Sequence, residues 1–181
     1  AAASADPDYN GLNPADVSVT NQDDDAGSIQ VTPTAGLQTT EGGGTATFTV
    51  RLTQAPTSPV TIGISTGDAT EGTAGTASLV FTDTNPQTVT VTGVDDFFVD
   101  GNVAYTIVTG AAASDDPAYN GLDPADVSVT NLDNDTPGIT VTPTSGLTTT
   151  EGGGTATFTV VLNTEPTADV TIGISSGTLT E

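Results

Sequence analysis

The first 110 residues of this chain are followed, without a gap, by a second copy of their own beginning. Tyr9-Asn10-Gly11-Leu12 returns as Tyr119-Asn120-Gly121-Leu122, and Glu41-Gly42-Gly43-Gly44 returns as Glu151-Gly152-Gly153-Gly154. Of the 71 positions that can be compared, 51 are identical, about 72%. A period near the commonest domain size means that each copy must close its own core within about 110 residues. The chain opens partway through one copy and stops partway through another, so it is expected to be a window on a longer tandem array. The expected division is a C-terminal fragment of a preceding repeat over residues 1–25, a complete repeat over 26–135, and an N-terminal fragment of a following repeat over 136–181.

Within the repeat, apolar residues recur every second position. Ala46, Phe48, Val50 and Leu52 alternate with Thr45, Thr47, Thr49 and Arg51, and Val60, Ile62 and Ile64 alternate with Thr61, Gly63 and Ser65. Period two over short segments, separated by Gly, Pro, Asn and Asp, signals antiparallel strands with one wet face. The 38 Thr of the chain fall mostly on the outward positions, where β-branching suits a strand. Strands are predicted over Ser28–Thr32, Thr45–Leu52, Val60–Ser65, Ser78–Phe81, Gln87–Val94, Ala104–Thr109 and Asp126–Asn131. About seven strands in roughly 110 residues point to an all-β fold of tandem immunoglobulin-like antiparallel sandwiches.

Charge narrows the partners. Eighteen Asp and five Glu stand against a single base, Arg51, for a formal charge of −22. Such a polyanion is repelled by phosphate backbones and anionic lipid, which argues against nucleic acid and membrane surfaces as partners. No apolar run approaches the length of a membrane span. With no His, Cys or Lys in the sequence, most nucleophile–base pairs are ruled out, so no enzyme is expected. Paired carboxylates that could hydrolyse glycosides lack an aromatic sugar platform, since the 3 Tyr and 5 Phe lie mostly at expected core positions.

The remaining chemistry is that of oxygen ligands. Glu41 precedes the second predicted strand, Asp68 and Glu71 follow the third, Asp95, Asp96 and Asp100 follow the fifth, and Asp133 and Asp135 follow the last. In a sandwich these loops emerge at one end. Six to eight carboxylates brought together would repel or raise one another's pKa, and a hard cation removes the conflict. Ca²⁺ accepts six to eight oxygens in flexible geometry, whereas Mg²⁺ demands a strict octahedron. The acidic linkers, with Asp23 and Asp25 in the first and Asp133 and Asp135 in the second, and the repeated Glu151 extend the candidate ligand set. Taken singly, any of these Asp residues reads better as a turn residue; taken as a cluster, the set points to a metal. Asp115, Asp116 and Asp123 keep that reading, with a second ion site as the lesser alternative. The Asp133-x-Asp135 pair is no EF-hand, because Pro137 and Thr144 occupy the fifth and twelfth positions. The Gly-rich turn after Glu41 has no following Lys or helix to make it a phosphate cradle, so it is expected to be a tight turn into the second strand.

Three segments carry a family resemblance: Glu41 to Val50 (EGGGTATFTV), Val94 to Gly101 (VDDFFVDG) and Asn131 to Asp135 (NLDND). Together they resemble the Calx-beta domain, known from sodium–calcium exchangers and from tandem arrays in bacterial surface proteins. The resemblance implies an immunoglobulin-like sandwich that binds Ca²⁺ at one end, beside the following domain. Carried over by position, it implies Glu41, Asp95, Asp96, Asp100, Asp133 and Asp135 as ligands, with the Phe98 carbonyl as a backbone ligand. It also matches Asp68 to an acidic position, with Glu71 as a neighbouring substitute. Val103 stands where the family carries a further acid, which implies fewer ions.

The function expected from these readings is a structural repeat of an extracellular, bacterial filament, stalk or adhesin shaft, stiffened by Ca²⁺ at its joints. Its expected partners are adjacent copies of the same repeat, with lateral or head-to-tail self-association. A Ca²⁺ sensor or buffer, and a subunit of a strand-complemented pilus, are the alternatives.

Overall fold

The computed structural model describes residues 1–21 and 26–177. Its elements are β1 (Ile29–Thr32), β2 (Leu37–Thr40), β3 (Thr45–Leu52), β4 (Val60–Thr66), β5 (Gly72–Ala74), β6 (Ser78–Phe81), β7 (Gln87–Gly93), β8 (Val103–Thr109), β9 (Val127–Leu132), β10 (Ile139–Thr142) and β11 (Thr159–Leu162). The seven period-two segments predicted in the complete repeat fold as strands, and among the described residues there is no helix. A four-stranded sheet in the order β1-β3-β7-β5 faces a five-stranded sheet in the order β2-β9-β8-β4-β6. The result is an all-β, immunoglobulin-like sandwich.

The inward positions of both sheets meet in one core. Phe48, Val50, Leu52, Val60, Ile62, Phe81, Val89, Val91, Ile107, Val127 and Val129 are each at most 1% exposed. Fully burying such side chains is worth about 1.5–3 kcal/mol each, so this cluster dominates the stability of the sandwich. Half of the eight aromatic residues do not join it: Tyr9, Phe97, Phe98 and Phe158 are exposed. That departs from the expectation that most aromatics fill the core. Phe97 and Phe98 sit in the loop after β7 and Phe158 lies just before β11, beyond the reach of either inner face.

Two strands beyond the predicted seven complete the sandwich. The N-terminal edge divides at Pro33, which has no N–H to donate, and at Gly36, which turns with φ +78. β1 stays antiparallel to β3, with Ile29 opposite Leu52, while β2 crosses to the other sheet. There it runs parallel to β9, with Leu37 opposite Val129 and Thr40 opposite Leu132. The purely antiparallel expectation is therefore corrected at this one pair. β5 joins β7 through a three-residue ladder before the chain returns to the opposite sheet as β6.

The flanking segments are less ordered than the repeat predicts. β10 and β11 reproduce the β1–β3 register at an offset of 110, with Ile139 opposite Leu162. Residues 13–21 and 168–177 hold no strand, although their counterparts form β9 and β4. Those counterparts are held by β8 and β6, whose sequences occur only once in this chain.

Candidate metal centre

Four loops converge at one end of the sandwich, each fixed by main-chain geometry. Glu41 opens the Gly-rich turn, where Gly43 and Gly44 donate their N–H groups to the Thr40 carbonyl at 3.0 and 3.1 Å, and Gly43 adopts φ +81. Glu41 N donates to the Leu132 carbonyl at 3.1 Å, which ties this turn to the end of β9. Glu71 is held by the Val94 N–H, which donates to its carbonyl at 3.0 Å. In the loop after β7, Phe98 N donates to Asp96 at 2.8 Å.

Asp133 is the hub. Its carboxylate accepts the Asp135 N–H at 2.7 Å and the Gly101 N–H at 2.8 Å, while its own N–H donates to Asn102 at 3.1 Å. Asn134 donates through its backbone to Glu41 at 3.0 Å and through its amide to Asp95 at 3.3 Å. These bonds draw the carboxylates into two groups. Glu41, Asp133 and Asp135 each place an oxygen within 4.8 Å of the others, and so do Glu71, Asp96 and Asp100. That spacing suits oxygens sharing a divalent cation, whose bonds to them run about 2.3–2.6 Å for Ca²⁺.

The electrostatics are unbalanced within the protein. Burial raises the pKa of Glu41, and the charges of Asp133, Asp96 and Asp100 raise it further, against a lowering bond from Asn134. Burial likewise raises Glu71, opposed by its Asn131 bond and reinforced by Asp100, Asp68 and Asp96. Asp135 is raised by burial and then by Asp133, Asp95, Asp96 and Asp100. Asp133 alone in this group is lowered, by the N–H groups of Asp135 and Gly101. The same Asp96 and Asp100 charges reach both Glu41 and Glu71, so the two groups form one anionic bowl. Arg51, the sole base of the chain, is engaged elsewhere, donating from Nε to Gln30 at 2.8 Å. One further atom bears on a ligand: Asp135 Oδ2 is buried and has no hydrogen-bond partner. A carboxylate oxygen shut away from water without a donor is strongly unfavourable unless a cation faces it.

Of the expected ligands, Glu41, Glu71, Asp96, Asp100, Asp133 and Asp135 are brought together, and Asp95 lies beside them through Asn134. Asp68 is placed differently. Its carboxylate accepts Thr70 N at 3.0 Å and Thr70 Oγ1 at 2.6 Å, which lowers its pKa and closes its own turn. Glu71, the neighbour three residues on, takes the inward position. Phe98 is on the same loop as Asp96 and Asp100, and half-exposed. Glu151 is exposed and in neither group, and Asp23 and Asp25 lie outside the described residues.

Sequence reasoning did not single out the polar layer beneath the bowl. Asn131, 1% exposed, donates to the Val94 carbonyl at 2.9 Å and to Glu71 at 3.4 Å, and accepts from Thr39 at 3.0 Å. Thr39 in turn meets the Tyr105 hydroxyl at 3.1 Å. The signal was present as an Asn and a Thr at inward positions of otherwise apolar strands. At the opposite end, Asp116 is more than a turn residue. It caps its own turn through Ala118 N at 2.9 Å and also accepts Thr57 N from a separate loop at 2.7 Å; these bonds lower its pKa.

No family model matches the chain, and no curated protein matches it. Among solved structures it is similar to the apo-form Calx CBD1 domain, at 15% identity and TM-score 0.48, over 61% of this chain and 100% of that one. It is similar also to CBD12 from CALX1.2, at 15% identity and TM-score 0.45, over 58% of this chain and 43% of that one. A third is the periplasmic chaperone SfaE, at 11% identity and TM-score 0.46, over 59% of this chain and 58% of that one.

Proposed function

We propose that the complete repeat is a Ca²⁺-binding structural module whose ions stiffen the joint to the following repeat. The observation that carries this reading is the buried, partnerless Oδ2 of Asp135, a residue that places a carboxylate oxygen within 4.8 Å of oxygens of Glu41 and Asp133, while Arg51, the sole base, is engaged with Gln30. The donor set is all carboxylate and irregular in arrangement, which favours Ca²⁺ over Mg²⁺. Position supports the joint. Asp133 and Asp135 are bowl residues and also the connection to β10, which begins at Ile139. The backbone of Glu165 donates to the Phe97 carbonyl at 2.7 Å, so the bowl's own loop touches the following segment. The near-identity of the two copies supports a spacer built of many equal units, which would act as an extracellular filament, stalk or shaft. On this reading the module is not an enzyme, and adjacent copies of the repeat are its partners.

The test is Ca²⁺ titration by calorimetry, with thermal unfolding and small-angle scattering in EDTA and in excess Ca²⁺. A ligand held only by the folded state adds about 4 kcal/mol at a thousandfold excess over Kd. Ca²⁺ should therefore raise the Tm and narrow the distribution of shapes. Asp135→Asn and Glu41→Gln should each weaken binding about tenfold or more, one tenfold step being about 1.4 kcal/mol. Identical melts and scattering with and without EDTA would refute the proposal. A millimolar Kd suits an extracellular module, whereas a micromolar one would turn the reading toward sensing.

A further inference from the structure

The two linkers of this chain differ at the one position that lies between two acids of the bowl. Asn21-Gln22-Asp23-Asp24-Asp25 returns after 110 residues as Asn131-Leu132-Asp133-Asn134-Asp135. Every bowl acid whose counterpart lies in this chain is matched by the same residue: Glu41 by Glu151, Glu71 by Glu181, Asp133 by Asp23 and Asp135 by Asp25. Between the last two, Asp24 gives way to Asn134. Asp24 lies outside the described residues, so the comparison is one of sequence. The surroundings of Asn134 are those of the structure.

Asn134 bridges two of the converging loops. Its main-chain N–H donates to Glu41 Oε2 at 3.0 Å, and its amide Nδ2 donates to Asp95 Oδ1 at 3.3 Å. The amide also rests against the Gly-rich turn, where a Cβ added at Gly42 would stand 3.7 Å from Nδ2. Its neighbours set the path of the linker, since Asp133 accepts both the Asp135 and the Gly101 N–H groups. A change confined to the Asn134 side chain leaves those bonds in place. What it alters is Asp95. That carboxylate belongs to neither group of three, although its charge reaches Asp135 and raises it. An amide N–H has no lone pair to offer a cation, so the Asp95 oxygen it holds is satisfied without an ion. A carboxylate of the same shape in its place sets two anions face to face, a conflict that a divalent cation removes.

We propose that Asn134 sets the number of cations this joint holds, its amide engaging Asp95 and keeping that carboxylate out of coordination. The proposal rests on the reading of the bowl as a Ca²⁺ site and makes Asn134 a positioning residue of that site. An Asp at this position, as the first linker has in Asp24, frees Asp95, and the two carboxylates together take up one Ca²⁺ more. Ligand charge count tunes Ca²⁺ affinity. An array using both linkers would therefore fill its joints at different Ca²⁺ concentrations, although the other bowl acids are the same.

Counting bound Ca²⁺ by equilibrium dialysis, with calorimetric titration, tests this on the whole chain at about 0.15 M salt, where charges beyond roughly 8 Å are screened. Asn134→Asp should bind one Ca²⁺ more per chain than the parent, and Asp95→Asn in that background should remove the added ion. In the parent, Asp95→Asn should leave the count unchanged and Kd within about threefold, well inside the tenfold step that about 1.4 kcal/mol represents. In EDTA, Asn134→Asp should melt below the parent, because two carboxylates then face each other. In excess Ca²⁺ its Tm should rise by more than that of the parent. A residue that only braced the linker would lower both melts and add no ion. An unchanged ion count for Asn134→Asp would overturn the proposal. So would an ion lost from the parent on Asp95→Asn, a measurement that does not depend on Asn134→Asp folding. A parent that binds no Ca²⁺ would instead remove the reading of the bowl as a Ca²⁺ site, and this proposal with it.

Discussion

Replacing Asn131 by alanine tests the scaffold of the acidic bowl apart from any ion it would hold. The side chain is 1% exposed and makes three bonds: to the Val94 carbonyl at 2.9 Å, to Glu71 at 3.4 Å and from Thr39 at 3.0 Å. Alanine leaves the Val94 carbonyl and the Thr39 hydroxyl each short of a buried partner, at roughly 1 kcal/mol apiece. It also removes from Glu71 a charge-assisted bond, long at 3.4 Å and worth roughly another 1 kcal/mol. The expected loss is about 3 kcal/mol, measured by urea unfolding in EDTA so that no ion contributes. With a slope of about 1–3 kcal/mol/M for a small protein, the midpoint should fall by roughly 1–3 M. Asn131→Asp sharpens the test. It keeps the shape and the bond from Thr39, but turns a second oxygen toward Val94 and Glu71. It should destabilise more than alanine at neutral pH and recover as falling pH protonates the introduced group. A loss below about 0.5 kcal/mol for Asn131→Ala, or a pH-independent Asn131→Asp, would refute the claim that this network holds Glu71 in place.

Three further outcomes follow from the same geometry. In EDTA, stability should peak near pH 4. Glu41 and Glu71 are raised from the ordinary 4.5, so their contribution is full below 4.5 and fades as pH rises through the raised values. Asp116 and Asp133 are lowered from 3.8, so theirs is present above 3.8 and fades as pH falls through the lowered values. Excess Ca²⁺ should move the peak toward neutral pH, and a set of thermal melts from pH 3 to 8 checks both curves. Gly72→Ala should destabilise by roughly 1–3 kcal/mol in denaturant titrations, because its Cβ would collide with the Tyr105 ring and hydroxyl. Tyr119→Phe should lose about 1–3 kcal/mol by the same measure, since both main-chain groups of Gln54 lose their partner.

The strands that could be read from sequence are those with at least two apolar side chains repeating along the inward side. Phe48, Val50 and Leu52 on β3 or Val89 and Val91 on β7 announce a buried face by repetition alone. β2 and β5 lack that repetition, because each offers one apolar inward side chain, Leu37 or Ala74, beside Thr39 or Gly72. Thr39 is buried only because Tyr105 and Asn131 satisfy its hydroxyl, and Gly72 only because Tyr105 covers it. The parallel β2–β9 pair was hidden for the same reason, since its register sets a single apolar pair, Leu37 opposite Val129, beside the polar pair Thr39 and Asn131. The convergence of the acidic loops followed from strand parity. Their division into two groups did not, since it depends on which backbone N–H each carboxylate captures. Asp68 spends itself on Thr70, and Glu71 turns inward in its place.

The parallel pairing of β2 with β9 also decides how the repeat carries load. One strand lies near the point where the chain enters the sandwich, the other where it leaves, and both point the same way. Tension on the two ends pulls them in opposite directions along their shared length. The ladder from Leu37 to Leu132 must then slide as a whole, with its bonds strained together, whereas an antiparallel hairpin pulled at its ends opens one bond at a time. In the proposed array of such units, extension would be resisted at every link.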